Sequence, residues 1–401
     1  MRLLTAGESH GRAISVILSG IPAGLHISRE FIAKELRRRR KLHGRSSRMK
    51  LETDAVTCEG GLHGSVTTGN PLAFSIPNAE ADKWSHLLDP WEGSREDPLT
   101  RPRPGHADFA GAMKFAAHDG EGLKPADIQD VLERASARET AGRAVAGAVC
   151  KALLAAVDVS AASFAYRIGK AGLPRRTLLR LLEARELAGI PVARIEKSPL
   201  RIPDDKAEKA AKASVDDARK RGVTLGGGFV VMAFGLLPGI GSFSQWEERL
   251  DGRIAQALAS IPSVKAAGIG AARWLEEADG GEYHDEPVRD DESLTHATNR
   301  AGGITGGLTN GMPVVAVGTV KPIPTQAKPL RTVDLASGKP ASAPKQRSDV
   351  TSVPAASVIA ESMLALVLAD AVLAEFGGNH IDDVIARWQD RILRIGKLMA
   401  H

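Results

Sequence analysis

The opening of the chain reads as strand, loop, strand: Leu3 and Leu4 lead into GESHG, and the apolar run ISVILSGI follows before a turn signal at residues 22–24. A helix is predicted from Ser28, because SREFIAKELRRRR places Phe31, Ile32 and Leu36 at helical spacing. Its basic last turn complements the negative end of the helix, which explains part of the arginine run. Residues 49–57 alternate as a strand does, and PLAFSIP does so again. The proline-dense stretch 89–105 reads as an irregular loop that ends in a histidine.

Pro125 opens a long helical pattern, ADIQDVLERASARETAGRAVAGAVCKALLAAV, with Ile128, Val131, Leu132 and Ala135 on one stripe and its arginines on the other faces. Further helices are predicted at 203–221, 246–261, 353–375 and 381–398, between strand-like runs such as FVVMAFGLL and PVVAVGTV. The acidic stretch 276–299 and the basic, Ser/Pro-rich stretch 335–347 read as loops. Helices and strands are intermixed, with no repeat and no composition break, so the expectation is one large α+β domain over residues 1–401.

The longest apolar tract, residues 358–374, is interrupted by Glu361 and Asp370 and reads as a buried helix, not as a membrane span. The opening residues lack the apolar stretch of a secretory signal, which gives a cytoplasmic expectation. Cys58 and Cys150 have no paired spacing and are expected to be buried thiols in a reducing compartment. No zinc or calcium ligand spacing occurs.

Charge changes the picture more than composition does. The net charge is only +5, but the excess is concentrated in RRRRKLHGRSSR and TRPRPGH. With nine Phe, five Trp and two Tyr, a stacking platform for single-stranded nucleic acid is poorly supplied. Basic loops without such a platform fit a small, multiply charged anion; a polyanion-binding scaffold is the competing reading from another class.

Individual motifs leave alternatives open. GESHG fits the G-x-S-x-G pattern of a hydrolase nucleophile at Ser9, but an elbow needs a helix next, and a β-branched run follows instead. VKAAGIGAARW begins like a dinucleotide fingerprint but carries Arg273 at the third glycine position, so a turn is preferred. AGGITGGLTNG permits close approach of backbone N–H groups to an anion or a planar ring, and serves equally as a turn. His10 and His106 lie in Gly- or Pro-rich loops beside basic clusters, a setting for acid–base work. In RSDV, Arg347 could grip a phosphate and Asp349 could act as a base, or the segment could simply enter a helix. KPIPT sets Lys321 on a stiff turn.

Taken in order, AGESHG, RRRRKLHGRSSRM, RPRPGHAD, ERASARET, AGGITGGLTNG, KPIPT, TVDL and RSDVTSVPAA resemble the chorismate synthase family, from Leu4 to Gly378. The resemblance implies a β-α-β sandwich, a homotetramer, and conversion of 5-enolpyruvylshikimate 3-phosphate to chorismate and phosphate, the last step of the shikimate pathway. It further implies a 1,4-elimination that needs reduced FMN without net redox change.

By the same resemblance, His106 serves the reduced flavin as proton donor, His10 protonates the departing phosphate, and Asp349 assists removal of the ring proton. Ser9, Arg48, Arg103 and Arg138 fall on the substrate side. The flavin-binding pattern carries over onto Arg134, Ala135 and Ser136, onto Gln256 and Ala257, onto Gly306, onto Lys321, Pro322, Ile323, Pro324 and Thr325, and onto Arg347. Arg39 and Arg45 match positions that hold NADP in the family, or they hold substrate here. Ala135 stands where the family often has a serine, so only its backbone can contribute. Residues 118–129 form a longer connection than usual. No flavin reductase domain is expected, so reduced flavin comes from an external reductase, with NADPH only an indirect reductant.

Overall fold

The computed structural model describes residues 1–40, 42–44, 55–93, 98–118, 123–125, 127–290, 293–345 and 349–399. Strands β1 (Arg2–Ala6), β2 (Ala13–Ser19), β3 (Thr57–Gly60) and β4 (Leu72–Pro77) form one antiparallel sheet in the order β1-β2-β4-β3. The period-two pattern decides its faces: Ile14, Val16 and Leu18 on β2 and Leu72, Phe74 and Ile76 on β4 point inward, whereas Leu4 and Ile17 are exposed.

A second antiparallel sheet contains β5 (Ser160–Ile168), β6 (Ala171–Gly172), β7 (Gly227–Phe234), β8 (Val264–Ile269) and β9 (Val314–Val320), in the order β6-β5-β7-β9-β8. Its central strand β7 is buried on both faces from Gly228 to Phe234, which is why that run shows no alternation.

The helices that organise the core are α1 (Arg29–Arg40), α2 (Ile128–Ala135), α3 (Thr140–Ala155), α4 (Asp205–Arg221), α5 (Leu250–Ala259), α6 (Val353–Phe376) and α7 (Ile381–Met399). Helix α3 packs on β2 from one side and on α6 from the other, and α6 lies against β5 and β7. Sheet, helices, sheet is therefore the layer order, and one apolar cluster runs through all three layers. Helix α6 is apolar on every side because the layers enclose it; it is long and apolar enough to cross a membrane, yet 83% of its most apolar window is buried in the fold. The close contact of α3 with α6 depends on Gly147, where an added Cβ would lie 2.2 Å from Ser362 Cβ.

The same layer contains a buried ion cluster. Glu361 of α6 accepts from Arg38 at 2.7 and 2.8 Å, from Lys151 at 2.7 Å, from Ser163 at 2.6 Å and from Arg201 at 3.2 Å. Burial alone would push the Glu361 carboxyl up, but Arg38, Lys151 and Arg201 hold it well below its ordinary value. These bonds fasten the last turn of α1 to α3, α6 and β5, just where the arginine run begins.

Several expectations change. The single helix predicted after Pro125 is two: Ser136 is extended (φ −68°, ψ 142°), a 3-10 turn covers Ala137–Glu139, and α3 starts at Thr140. Side-chain bonds to distant loops outweigh the local helix preference there. Arg138 is buried and does not project outward. The stretch 276–299 contains a helical turn at Gly280–Tyr283, started by Asp279 accepting from Glu282 N, and a hairpin of Pro287–Asp290 with Ser293–His296. In 335–347, Pro340–Ser342 pairs with Arg331–Val333. Cys58 is exposed because its strand lies at a sheet edge, whereas Cys150 is buried. Of the strand expected over 49–57, residues 49–54 lie outside the described residues, and Thr57 opens β3.

Candidate active site

The GESHG loop joins β1 to β2, and Gly7 (φ 105°) makes the turn, since a Cβ there would lie 2.2 Å from the Ala13 carbonyl oxygen. Asn78, directly after β4, holds the loop from below: its Nδ2 donates to the carbonyls of Glu8 (3.0 Å) and Gly11 (2.7 Å). Its Oδ1 accepts from Arg138 Nε at 2.7 Å, and Arg138 Nη2 donates to the Pro77 carbonyl at 3.1 Å.

Helix α2 closes the loop from the other side. Ser9 N donates to the Glu133 carbonyl at 3.1 Å, and His10 N donates to Glu133 Oε2 at 2.8 Å. The imidazole Nδ1 meets Glu133 Oε1 at 2.8 Å, and the ring lies on Trp84 with centroids 4.6 Å apart. Ser136 Oγ donates to Ser9 Oγ at 3.0 Å and accepts from Arg138 N. Arg134 Nη2 donates to the backbone and hydroxyl oxygens of Thr5, both at 2.8 Å. The break at Ser136 thus lets Arg134 and Ser136 meet the first hairpin, and Arg138 meet Asn78, which holds that hairpin's loop. Arg39 joins them, donating to Thr140 Oγ1 at 3.3 Å.

The second histidine is held in a comparable way. Asp108 accepts from His106 Nδ1 and from Arg103, whose Nε and Nη2 lie 2.7 and 3.0 Å from the two carboxylate oxygens. Burial would push the Asp108 carboxyl up, but the bonds from His106 and from Arg103 hold it well below its ordinary value. Arg103 Nη1 also donates to Thr325 Oγ1 at 3.3 Å, and Lys321 Nζ donates to the Gly105 carbonyl. Thr224 fixes the KPIPT turn by donating to the Ile323 carbonyl at 2.7 Å. Partial burial and the charge of Lys265 lower the Lys321 ammonium below its ordinary value.

Helix α2 carries both histidine loops. Glu133 holds His10, and Val131 packs against Gly111 of the short helix Asp108–Lys114 that begins at the His106 partner.

The structure therefore gathers Ser9, His10, Arg39, Arg134, Ser136 and Arg138 into one cluster, with half-buried Ala135 beside them, and Arg103, His106 and Lys321 to Thr325 into another. Asp349 is half-buried beside Val350, whose N–H donates to the Gly44 carbonyl at 2.8 Å, so its segment borders the arginine-rich stretch. Gly306 lies at a hairpin tip with Gly307, both at positive φ (63° and 93°), and its carbonyl accepts from Arg249 at 3.3 Å. Gln256 and Ala257 line a separate depression of about 340 Å³ with Met1, Leu3, Arg253 and Asp370. Arg45, Arg48 and Arg347 lie outside the described residues.

Two of the rival motif readings do not fit this arrangement. Ser9 is followed by strand β2, so the loop is no nucleophile elbow. The glycines at 268 and 270 end a strand antiparallel to β9 and open a 3-10 turn, so no βαβ unit surrounds them.

A sequence profile described as chorismate synthase matches residues 1–373. The chain belongs to the chorismate synthase family. A chorismate synthase of Rubrobacter xylanophilus is 42% identical over 393 residues, covering 98% of this chain and 96% of the relative. One from Thermus thermophilus is 43% identical over 403 residues, covering 98% and 99%. A crystal structure of chorismate synthase superposes with a TM-score of 0.78 at 34% identity, covering 99% of this chain and 98% of that one. The two-sheet sandwich is thus the chorismate synthase fold, and the protein is an enzyme of the lyase class that this family name denotes.

Four residues that hold these two clusters together are not singled out by the sequence: Asn78, Trp84, Asp108 and Glu133. Asp108 and Glu133 stand inside the quoted GHAD and ERASARET motifs, where an acid at fixed spacing from a histidine or in a basic helix was the available signal. Asn78 and Trp84 had none, since only the fold brings them to the loop.

Proposed function

We propose that the protein converts 5-enolpyruvylshikimate 3-phosphate to chorismate and phosphate by 1,4-elimination, with reduced FMN as cofactor. The observation that carries this reading is that two loop histidines are each fixed through Nδ1 by a buried carboxylate, with Arg134 and Arg138 bonded beside the loop of His10 and Lys321 bonded to the loop of His106. A substrate with two carboxylates and a phosphate calls for several fixed cations, and arginine offers planar, permanently charged forks.

The residues fit the cofactor. Lys321 is held half-buried near the like charge of Lys265, a state that an anionic phosphate would relieve. The KPIPT turn, the backbone at Ala135, Ser136 and the exposed Arg134 supply donors for such a group, and Gly306 leaves open space where a side chain would project. Reduced FMN, when bound, supplies electron density that is recovered by the end of turnover. Arg347 is assigned to the same group.

On this reading His10 delivers a proton to the departing phosphate, His106 holds a proton on the loop it shares with Lys321, and Asp349 assists removal of the ring proton. Arg48, Arg103 and Arg138, with Ser9, bind the substrate anion. Arg39, buried against Thr140, supports a substrate-side role over an NADP site. Gln256 and Ala257, in their separate depression, fit a flavin reached across a homotetramer contact. The protein works as a single domain in the cytoplasm, with reduced flavin from an external reductase.

The test is anaerobic release of phosphate and chorismate with reduced FMN, oxidised FMN or no flavin. Turnover with reduced FMN alone is expected; equal turnover without flavin would overturn the cofactor assignment.

A further inference from the structure

The geometry points to Glu133 as the positioning residue for His10, setting both the tautomer and the aim of the proton that His10 delivers. This rests on the reading of His10 as the acid for the departing phosphate. Glu133 binds the two residues at the apex of the GESHG loop in three ways: its carbonyl accepts from Ser9 N, Oε2 accepts from His10 N, and Oε1 meets His10 Nδ1. The last two bonds are both 2.8 Å long, and they lock the backbone and the ring of one residue to one rigid carboxylate.

A carboxylate only accepts hydrogen bonds, so Nδ1 carries the hydrogen. The proton that can be given away is then the one on Nε2, on the far side of the ring. As the carbon–oxygen bond to the phosphate breaks, its electron pair stays on the phosphate oxygen, which takes the Nε2 proton. The ring is left neutral with its hydrogen on Nδ1, the tautomer that the Glu133 bond already selects, and no second rearrangement is needed.

The setting of Glu133 argues against a merely structural role. Its side chain is 1% exposed while that of His10 is 14% exposed, so the acid's partner is sealed and the acid is reachable. Among the described residues the one ion-pair partner of Glu133 is His10; its other side-chain neighbour, Gln129, donates a neutral amide hydrogen to Oε1. Asp108 differs, because the Arg103 fork shares its charge with His106. A buried charge with no cation but an imidazolium is one whose field is spent on that ring.

The experiment compares Glu133→Gln, Glu133→Leu, His10→Ala and the double variant Glu133→Gln/His10→Ala in the anaerobic assay, with flavin and substrate affinities measured alongside. Glutamine keeps the shape but can accept on one side only, so it can satisfy both His10 N and Nδ1 only when Nδ1 carries no hydrogen, the opposite tautomer. We expect kcat to fall about tenfold in Glu133→Gln and about a hundredfold in Glu133→Leu, with KM and flavin affinity within about twofold of wild type. The double variant should be no slower than His10→Ala alone. If Glu133→Leu does not fold, the glutamine variant and the double variant decide. Full kcat in Glu133→Gln, or additive losses in the double variant, would overturn the assignment. Wild-type turnover in His10→Ala would instead remove the role of His10 on which it rests.

Discussion

Arg138 Nε lies 2.7 Å from Asn78 Oδ1, while the nitrogen of the same amide holds the carbonyls of Glu8 and Gly11. One small side chain thus ties the proposed substrate clamp to the loop that carries His10. Asn78→Ala should raise KM for the phosphorylated substrate by about tenfold or more, the loss expected for one hydrogen bond to a charged group. Steady-state kinetics against Arg138→Ala, whose main defect should also be in binding, checks the link. Unchanged KM in both variants would remove Arg138 from the substrate side.

His106→Ala should lower turnover by about 10²–10⁴-fold, the range for a lost general acid, while substrate binding is retained. Equilibrium titration of the variant separates the two effects, and wild-type-like turnover would reject the role.

The Asp108 carboxyl is held below its ordinary value of 3.8, so the folded state favours its charged form. The stability this contributes is fully present above that value and is lost as pH falls through it toward the lower folded value. Denaturant unfolding of Asp108→Asn and wild type should therefore give a difference that shrinks as pH falls below 3.8. A difference that grows below that value contradicts the geometry of the Arg103–Asp108–His106 group.

Glu361→Gln should cost about 3–5 kcal/mol, because it strands Arg38, Lys151 and Arg201 in the core around a neutral group. Chemical denaturation reads the loss directly. A change under about 1 kcal/mol would mean that water or a rearranged Glu35 replaces the missing charge.

Gly147→Ala should destabilise by about 1–3 kcal/mol through overpacking against Ser362. The same change in a Ser362→Gly background should cost less, since the atom it strikes is gone; equal cost in both backgrounds would place the strain elsewhere.

Much of the architecture is legible in the chain. Alternation marks β2 and β4, and the all-round apolar character of α6 announces an enclosed helix. The break at Ser136 is not legible, because alanines, arginines and glutamates on both sides favour a helix, and what overrides them is a serine–serine bond to a loop more than a hundred residues away. The exposure of Cys58 is likewise a matter of strand order, which pairing decides and local sequence does not. For the site, the histidines and arginines stand out by type and setting. Glu133 and Asp108 look like ordinary solvated acids until the fold buries them. The resemblance put Gln256 and Ala257 with the flavin residues, and the structure seats them on α5 in a depression of their own.

Because one eight-residue helix supports both histidine loops, His10 and His106, the proposed proton donors, share a common frame of reference. A tilt of Ile128–Ala135 displaces both at once, so a change that reorients the whole helix reaches both loops, whereas a change confined to Glu133 or Val131 reaches one.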